Sequence, residues 1–235
     1  MSRPIRRCVL LFARSPRAEA RAKGLGGAER LFALAAERVA EAAARSGFDL
    51  LVVGGGGPTH AGLSRLPQRG HGFAQRLSNA FADAEALGYE QVVVVPGDVP
   101  GLDATVLAEA RRALDRAGVV LGPSPDGGVF LLGCAPSLAR EFGGVRWQTG
   151  AVFADLGALA SGLGLAVRVL RALTDVDRLR DLDRLAGQTD LDAALLRLVR
   201  EIRRCPAPRR FGVEARLSGL FQPLAFALRG PPALA

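Results

Sequence analysis

Residues 92–100 read Val92-Val93-Val94-Val95-Pro96-Gly97-Asp98-Val99-Pro100, an apolar run that ends in one carboxylate held between two prolines. Four β-branched residues in succession fit a strand buried on both faces of a parallel sheet, where the alternation of a half-exposed strand is lost. In open α/β sheets the carboxyl ends of the strands form the crevice where ligands bind. Asp98 is therefore either a site residue or a turn former. The flanking prolines, which fix φ, suit a loop that aims a ligand.

Working outward from this strand, apolar runs and helical periodicities alternate. Strands are expected over 8–13, 48–53, 118–122, 128–133 and around 165–169, and helices over 28–45 and 72–87. Asp103 is placed to cap a helix over 104–116, Asp175 one running through Leu185, and Asp190 one over 191–204. A short helix near 137–142 and another over 151–159 complete the pattern. Residues 14–27, RSPRAEARAKGLGG, read as a loop. So do residues 54–71, which carry GGGG and both histidines. Short connections between alternating strands and helices are the βαβ signature of a layered α/β sheet.

The chain of 235 residues is 49% hydrophobic with no Ser/Gly-rich linker, which predicts one domain over 1–202 and a C-terminal extension over 203–235. Phe211, Phe221 and Phe226 in that extension want an apolar partner, either the domain itself or a second copy in a homodimer. Cys8, Cys134 and Cys205 are odd in number and far apart, which points away from a disulfide framework and toward a reducing, cytoplasmic setting. The apolar run after the first arginines spans only about six residues, too short for a signal peptide, and no stretch approaches the roughly 20 apolar residues of a membrane span. The net charge is +8, with Lys23 the single lysine, but the arginines are spread beside acidic residues without an aromatic-interleaved patch, which argues against a nucleic-acid partner.

Three acidic or glycine-rich segments fall at expected strand ends: PGDVP around Asp98, GPSPDGGVFLLG around Asp126, and TDVDRLRDLD around Asp175 and Asp177. Carboxylates from separate loops can hold a hard divalent cation, Mg2+ or Mn2+, whose remaining positions go to phosphate oxygens and water. Such an ion neutralises charge on a diphosphate. Asp98 is the first ligand on this reading, helped by Asp175 or Asp177, which otherwise only cap a helix. Asp181 and Asp183 read as solvated or paired with Arg178, Arg180 and Arg184. Asp126, ahead of Gly127-Gly128, is either part of a hairpin-like connection or an acceptor-facing or metal-facing carboxylate able to act as a base. Trp147 walls a pocket or fills the core. The spacing of His60 and His71 matches no metal motif, and Cys134 reads as inert packing.

Taken together, FARSP at 12–16, QRGHGFAQRL at 68–77, VVVVPGDVPGL at 92–102, LGPSPDGGVFLLG at 121–133, Arg146-Trp147 and DVDRLRDLDRL at 175–185 resemble the DUF2064 family. That bacterial group has a nucleotide-diphospho-sugar transferase (GT-A) type fold and is similar, more distantly, to phospholactate and molybdenum-cofactor guanylyltransferases. The resemblance covers residues 8–186. It implies a three-layer α/β/α fold around a mixed, mostly parallel sheet with one antiparallel strand, a nucleotide pocket over the first half and an acceptor pocket formed by the second.

By position, the resemblance implies a metal or nucleotide-phosphate role for Asp98. It matches Asp126, Gly127 and Gly128 to a DGG motif, with Val129 where an aromatic is usual, and Asp175 and Asp177 to a D-x-D segment. Arg14, Gln68, Gly72 and Arg76 match the nucleotide side. The family's basic first loop, G-x-x-K-T-R-L, is altered here: Lys23 is displaced by one position and Gly24 stands for the arginine, with Arg17 and Arg21 near enough in sequence to serve the same phosphates. The implied activity is a metal-dependent transfer from a nucleotide-activated donor to a small acceptor. It is glycosyl transfer from a nucleotide sugar, or else nucleotidyl transfer with release of pyrophosphate. A degenerate nucleotide-binding or interaction protein is the non-catalytic alternative.

Overall fold

Val92 to Val95 are buried and divide between the two faces of one sheet: Val92 and Val94 join one core cluster, Val93 and Val95 the other. The computed structural model describes residues 3–60, 62–188 and 191–204. Along the chain run β1 (Arg7–Phe12), α1 (Pro16–Ala22), α2 (Glu29–Arg45), β2 (Asp49–Val53), β3 (Ser64–Leu66), α3 (Gly72–Ala86), β4 (Gln91–Pro96) and α4 (Ala104–Leu114). There follow β5 (Val119–Pro123), β6 (Val129–Cys134), a 3-10 helix (Pro136–Gly144), α5 (Val152–Gly162), β7 (Val167–Val169), α6 (Leu179–Ala186) and α7 (Ala193–Arg204).

The strands form one seven-stranded sheet in the order β3-β2-β1-β4-β6-β5-β7. All pairs are parallel except those of β6, which runs antiparallel to β4 and β5. Cys8, Leu10 and Phe12 of β1 pack with α3, the 3-10 helix and α5, while Val9 and Leu11 pack with α2 and α4. This is the expected mixed, mostly parallel three-layer α/β/α arrangement. A third cluster joins α1, the first turn of α2, α6 and α7 through Ala20, Leu31, Phe32, Val176, Leu182, Leu195 and Val199. None of the described helices is long and apolar enough to cross a membrane.

The order β3-β2-β1-β4 reverses the direction of winding between β1 and β4, so their carboxyl ends open at a topological switch point. The glycine loop after β2 lies against this point. A Cβ on Gly56 would stand 2.1 Å from the Arg14 carbonyl carbon, so only glycine fits there.

Several sequence expectations are corrected. Residues 16–22 are a helix rather than loop: Ser15 Oγ accepts from Ala18 N at 3.3 Å and Pro16 sits in the first turn, where its missing N–H costs nothing. The segment is too short and too rich in arginine to show an apolar stripe, with only Glu19 and Ala20 buried. The 54–71 loop contains β3, a polar edge strand. Asp175 lies four residues ahead of α6 and does not cap it. Asp181 is buried rather than solvated: it pairs with Arg184 at 3.3 Å, as one of its two expected readings has it, and also accepts from Asp177 N at 3.0 Å and Arg178 N at 2.8 Å, which fixes that helix entry. Asp190 lies outside the described residues, and Asp192 accepts from Ala194 N at the start of α7. The apolar extension with Phe211, Phe221 and Phe226 also lies outside the described residues.

Candidate functional site

Three stretches of chain converge at the carboxyl edge of the sheet. The first is α1, which leaves β1 through Arg14. Its i,i+4 spacing sets Glu19 and Lys23 side by side, with Lys23 Nζ 3.1 Å from Glu19 Oε1. Arg17 and Arg21, two residues out of phase, are exposed on the opposite side of the helix. The second is the loop after β4, carrying Asp98. The third is residues 170–178, which run from β5 to β4: Leu170 N donates to Leu121 O, Leu173 N to Pro123 O at 3.2 Å, and Val176 N to Asp98 O at 3.0 Å.

At the junction the Lys23 ammonium is surrounded by oxygen. It hydrogen-bonds Asp98 Oδ2, lies 2.9 Å from Asp177 Oδ1, and donates to Val176 O at 2.7 Å, in addition to Glu19. Burial by itself draws the lysine pKa down, but Asp98, Asp177 and Glu19 more than reverse this and hold it above the usual value. Glu19 and Asp177 are pushed up, chiefly by burial, against the pull of the same lysine. The opposite directions follow from one arrangement. Three carboxylates gather about one ammonium, with Arg14 reaching only Glu19 at 3.9 Å, so Lys23 is surrounded by opposite charge while burial weighs on the anions.

Next to this group, one carboxylate oxygen each from Asp126, Asp175 and Asp177 lie within 4.8 Å of one another. Asp126 comes from the turn of the β5–β6 hairpin, where its Oδ1 accepts from Gly128 N at 3.0 Å. Gly127 is required there: it has φ +84°, and a Cβ would stand 2.2 Å from Gly150 O. Asp175 is buried on the 170–178 segment, and Asp177 belongs to both the triad and the lysine group.

Asp98 and Asp177 are thus brought together across Lys23, and Asp126 joins Asp175 and Asp177, which of its two expected facings, acceptor or metal, corresponds to the metal one. Arg14 is half-buried, with Nε 3.9 Å from Glu19 Oε2; burial lowers its pKa against the pull of Glu19 and Asp98. With Phe12, Glu19, Pro96 and Asp98 it lines a narrow crevice at the switch point. Gln68 donates to Val53 O at 3.2 Å, and Arg76 to Gly70 O at 3.2 Å beside Gly72, the first residue of α3. Trp147 packs among Phe73 and Phe142, with ring centroids at 5.7 and 5.3 Å. His60 pairs with Glu37 on the surface, and Cys134 is fully buried with its thiol pKa pushed up by burial. A larger cavity of about 500 Å³, lined by Leu179, Asp183, Arg200, Arg203 and Arg204, lies on α6 and α7 and contains none of the expected site residues.

A family model described as "Uncharacterized protein conserved in bacteria (DUF2064)" matches residues 20–149. A solved structure described as a "putative nucleotide-diphospho-sugar transferase" from Desulfovibrio desulfuricans G20 is 23% identical, with TM-score 0.69 over 85% of this chain and 99% of its own. Rv0371C of Mycobacterium tuberculosis H37Rv, in complex with manganese, is 18% identical, with TM-score 0.52 over 79% and 100%. A nucleotidyl transferase from Methanothermobacter thermautotroptrophicus is 16% identical, with TM-score 0.54 over 78% and 96%. These likenesses establish a shared fold of the nucleotide-diphospho-sugar transferase type. No curated protein matches the chain.

Proposed function

This chain belongs to the DUF2064 family, and from the site it builds on that fold we propose that it is a metal-dependent transferase acting on a nucleotide-activated donor. The observation that carries the proposal is the convergence of Asp126, Asp175 and Asp177 within 4.8 Å, from two separate segments, at the carboxyl edge of the sheet. All three are hard oxygen donors, the ligand type that suits Mg2+ and Mn2+. Asp98, linked to Asp177 through Lys23, is the fourth carboxylate of the site. A protein with this fold, Rv0371C, is known in complex with manganese, which supports a divalent cation here. When bound, the ion supplies charge neutralisation for the donor's diphosphate oxygens. Arg14 and Arg76, on the side of β1 and α3, face the nucleotide, with Gln68 and Gly72 near its entry. Arg17 and Arg21 serve only the outer approach of an anionic donor. The Asp126-Gly127-Gly128 turn presents main chain and carboxylate to the acceptor, beside the Trp147 loop.

In the glycosyl version, an acceptor hydroxyl attacks the sugar carbon and a nucleoside diphosphate leaves. In the nucleotidyl version, an acceptor phosphate attacks the α-phosphorus of a nucleoside triphosphate and pyrophosphate leaves. One observation favours keeping the second beside the first: Lys23, although displaced by a position in sequence, delivers its ammonium to the centre of the site. A cation suited to a triphosphate is therefore present.

The deciding assay offers purified protein panels of nucleotide sugars and nucleoside triphosphates with Mg2+ or Mn2+ and small acceptors. Acceptor-dependent release of nucleoside diphosphate supports glycosyl transfer, and pyrophosphate release supports nucleotidyl transfer. Nucleotide binding that ignores the metal and is unchanged by Asp98→Asn would leave only the non-catalytic reading.

A further inference from the structure

Resting on the metal-dependent reading above, we propose that the Lys23 ammonium is a tethered occupant of the cation site, competing with the divalent ion for Asp98 and Asp177, so that the ion enters only as Lys23 lets go. The four oxygens about Lys23 Nζ come from Glu19, Asp98, Val176 and Asp177. Three carboxylates and a carbonyl are the set a hard cation would also take. Asp177 is the shared member: it contributes an oxygen to the triad with Asp126 and Asp175 while its Oδ1 stays 2.9 Å from the ammonium.

Charge gives the exchange its direction. Lys23 and Arg14 together leave the three nearby carboxylates one negative charge in excess, whereas a dication beside Arg14 balances all three and makes Lys23 the surplus cation. Lys23 is the C-cap residue of α1, on a four-carbon stem that can swing without disturbing the helix, and its Nζ already lies 5.3 Å from the centre of the Phe32 ring. The apparent metal affinity of the free protein is then lowered by the fraction of molecules in which Lys23 holds the carboxylates. Once released, the ammonium becomes available to the donor's phosphate oxygens. Metal arrival and donor binding are coupled through one side chain.

The test measures Mn2+ uptake by the full, nucleotide-free chain from the resonance of the unbound ion. The double substitution Glu19→Gln with Lys23→Gln removes one negative and one positive charge, so the net charge of the group is unchanged, and it leaves Asp98 and Asp177, the two carboxylates in contest, without their occupant. The inference expects the double variant to bind Mn2+ about tenfold more tightly, within the range usual for coupled sites. An affinity equal to or weaker than wild type overturns it.

A second measurement needs no substitution. Lys23 is the only lysine in the chain, so isotope-labelled lysine gives a single ammonium resonance. That resonance should be protected from water in the metal-free protein and lose its protection on Mg2+ addition; a signal indifferent to bound Mg2+ overturns the inference. Mn2+ uptake that depends on Asp175 but not on Lys23 sinks this inference alone. Uptake that is absent, or equal in Asp175→Asn, sinks the metal-dependent reading together with it.

Discussion

Lys23 Nζ lies 2.9 Å from Asp177 Oδ1, although one residue caps the C-terminus of α1 and the other lies in the segment ahead of α6. With the Asp98 contact, this single side chain fastens the loop after β4 to the last loop of the sheet edge. Val176 N, donating to Asp98 O at 3.0 Å, makes the same connection through the backbone. The site is therefore held partly by an ion group that a ligand can remodel and partly by main-chain bonds that it leaves in place.

Lys23→Met is expected to be strongly destabilising at neutral pH, because it leaves buried carboxylates facing one another. Removing one partner of a buried ion pair typically costs about 3–5 kcal/mol, which for a chain of this size is a fall of about 10 °C in Tm. Adding Glu19→Gln should recover part of the loss, since it removes one of the anions left behind. A thermal-melt double-mutant cycle measures this, and strict additivity of the two substitutions would show that the group is not coupled.

Asp126→Asn separates the metal role of this residue from its turn role. The amide oxygen of asparagine can still accept from Gly128 N, the bond Asp126 Oδ1 makes at 3.0 Å, so the hairpin keeps its geometry. The charge next to Asp175 and Asp177 is lost. Mn2+ affinity should fall about tenfold or more while Tm moves by no more than about 2 °C. Calorimetric titration beside a thermal melt reads both, and an unchanged affinity would remove Asp126 from the donor set.

Much of this could be read in the sequence where a pattern is local. The run at 92–95 announces a central strand, and Asp103 caps α4 as its position implies, accepting from Val106 N at 2.9 Å. The Asp126-Gly127-Gly128 turn stands out by composition. What could not be read is what depends on contacts between distant segments. Lys23 and Asp98 are 75 positions apart, and only the folding of residues 16–22 as a helix brings them together. The pairing of Asp126 with Asp175 and Asp177 depends on the path of residues 170–178 along β5, which follows from backbone bonds that no residue type announces. The pairing of Lys23 with Glu19, though not the presence of Lys23 among the candidate residues, follows from their i,i+4 relation after a Ser-Pro helix start.

Tyr89 gives a pH prediction away from the site. Its hydroxyl donates to Asp49 Oδ2 at 2.9 Å, and burial together with that carboxylate pushes its pKa up to about 12. The unfolded phenol ionises near its ordinary value of about 10, so between these values the native state holds a proton that the unfolded state has lost. The contribution is complete below about pH 10 and is lost as pH rises through the folded pKa. Tyr89 is the only tyrosine, so phenolate absorbance titrates it directly. Asp49→Asn should bring the midpoint down toward 10, and a midpoint already near 10 in the wild type would contradict the assignment.

Gly127→Ala tests whether the turn that presents Asp126 is fixed by the neighbouring 145–150 loop. Two penalties are expected. Alanine must adopt φ near +84°, and its Cβ would stand 2.2 Å from Gly150 O, a backbone atom that cannot rotate away. Gly24→Ala is the control, since Gly24 has φ +65° but no atom within 4 Å of where a Cβ would stand, so that substitution bears only the left-handed conformation, about 1–2 kcal/mol. Gly127→Ala should cost about 3–4 kcal/mol in urea unfolding. The difference between the two variants measures the loop contact. Because Phe153 N donates to Gly127 O at 3.1 Å, the strain reaches the start of α5 as well as Asp126, and Mn2+ affinity should fall along with stability. Equal costs for the two alanines would mean that the turn and the 145–150 loop move apart freely, and that Asp126 is held in place by its own hairpin alone.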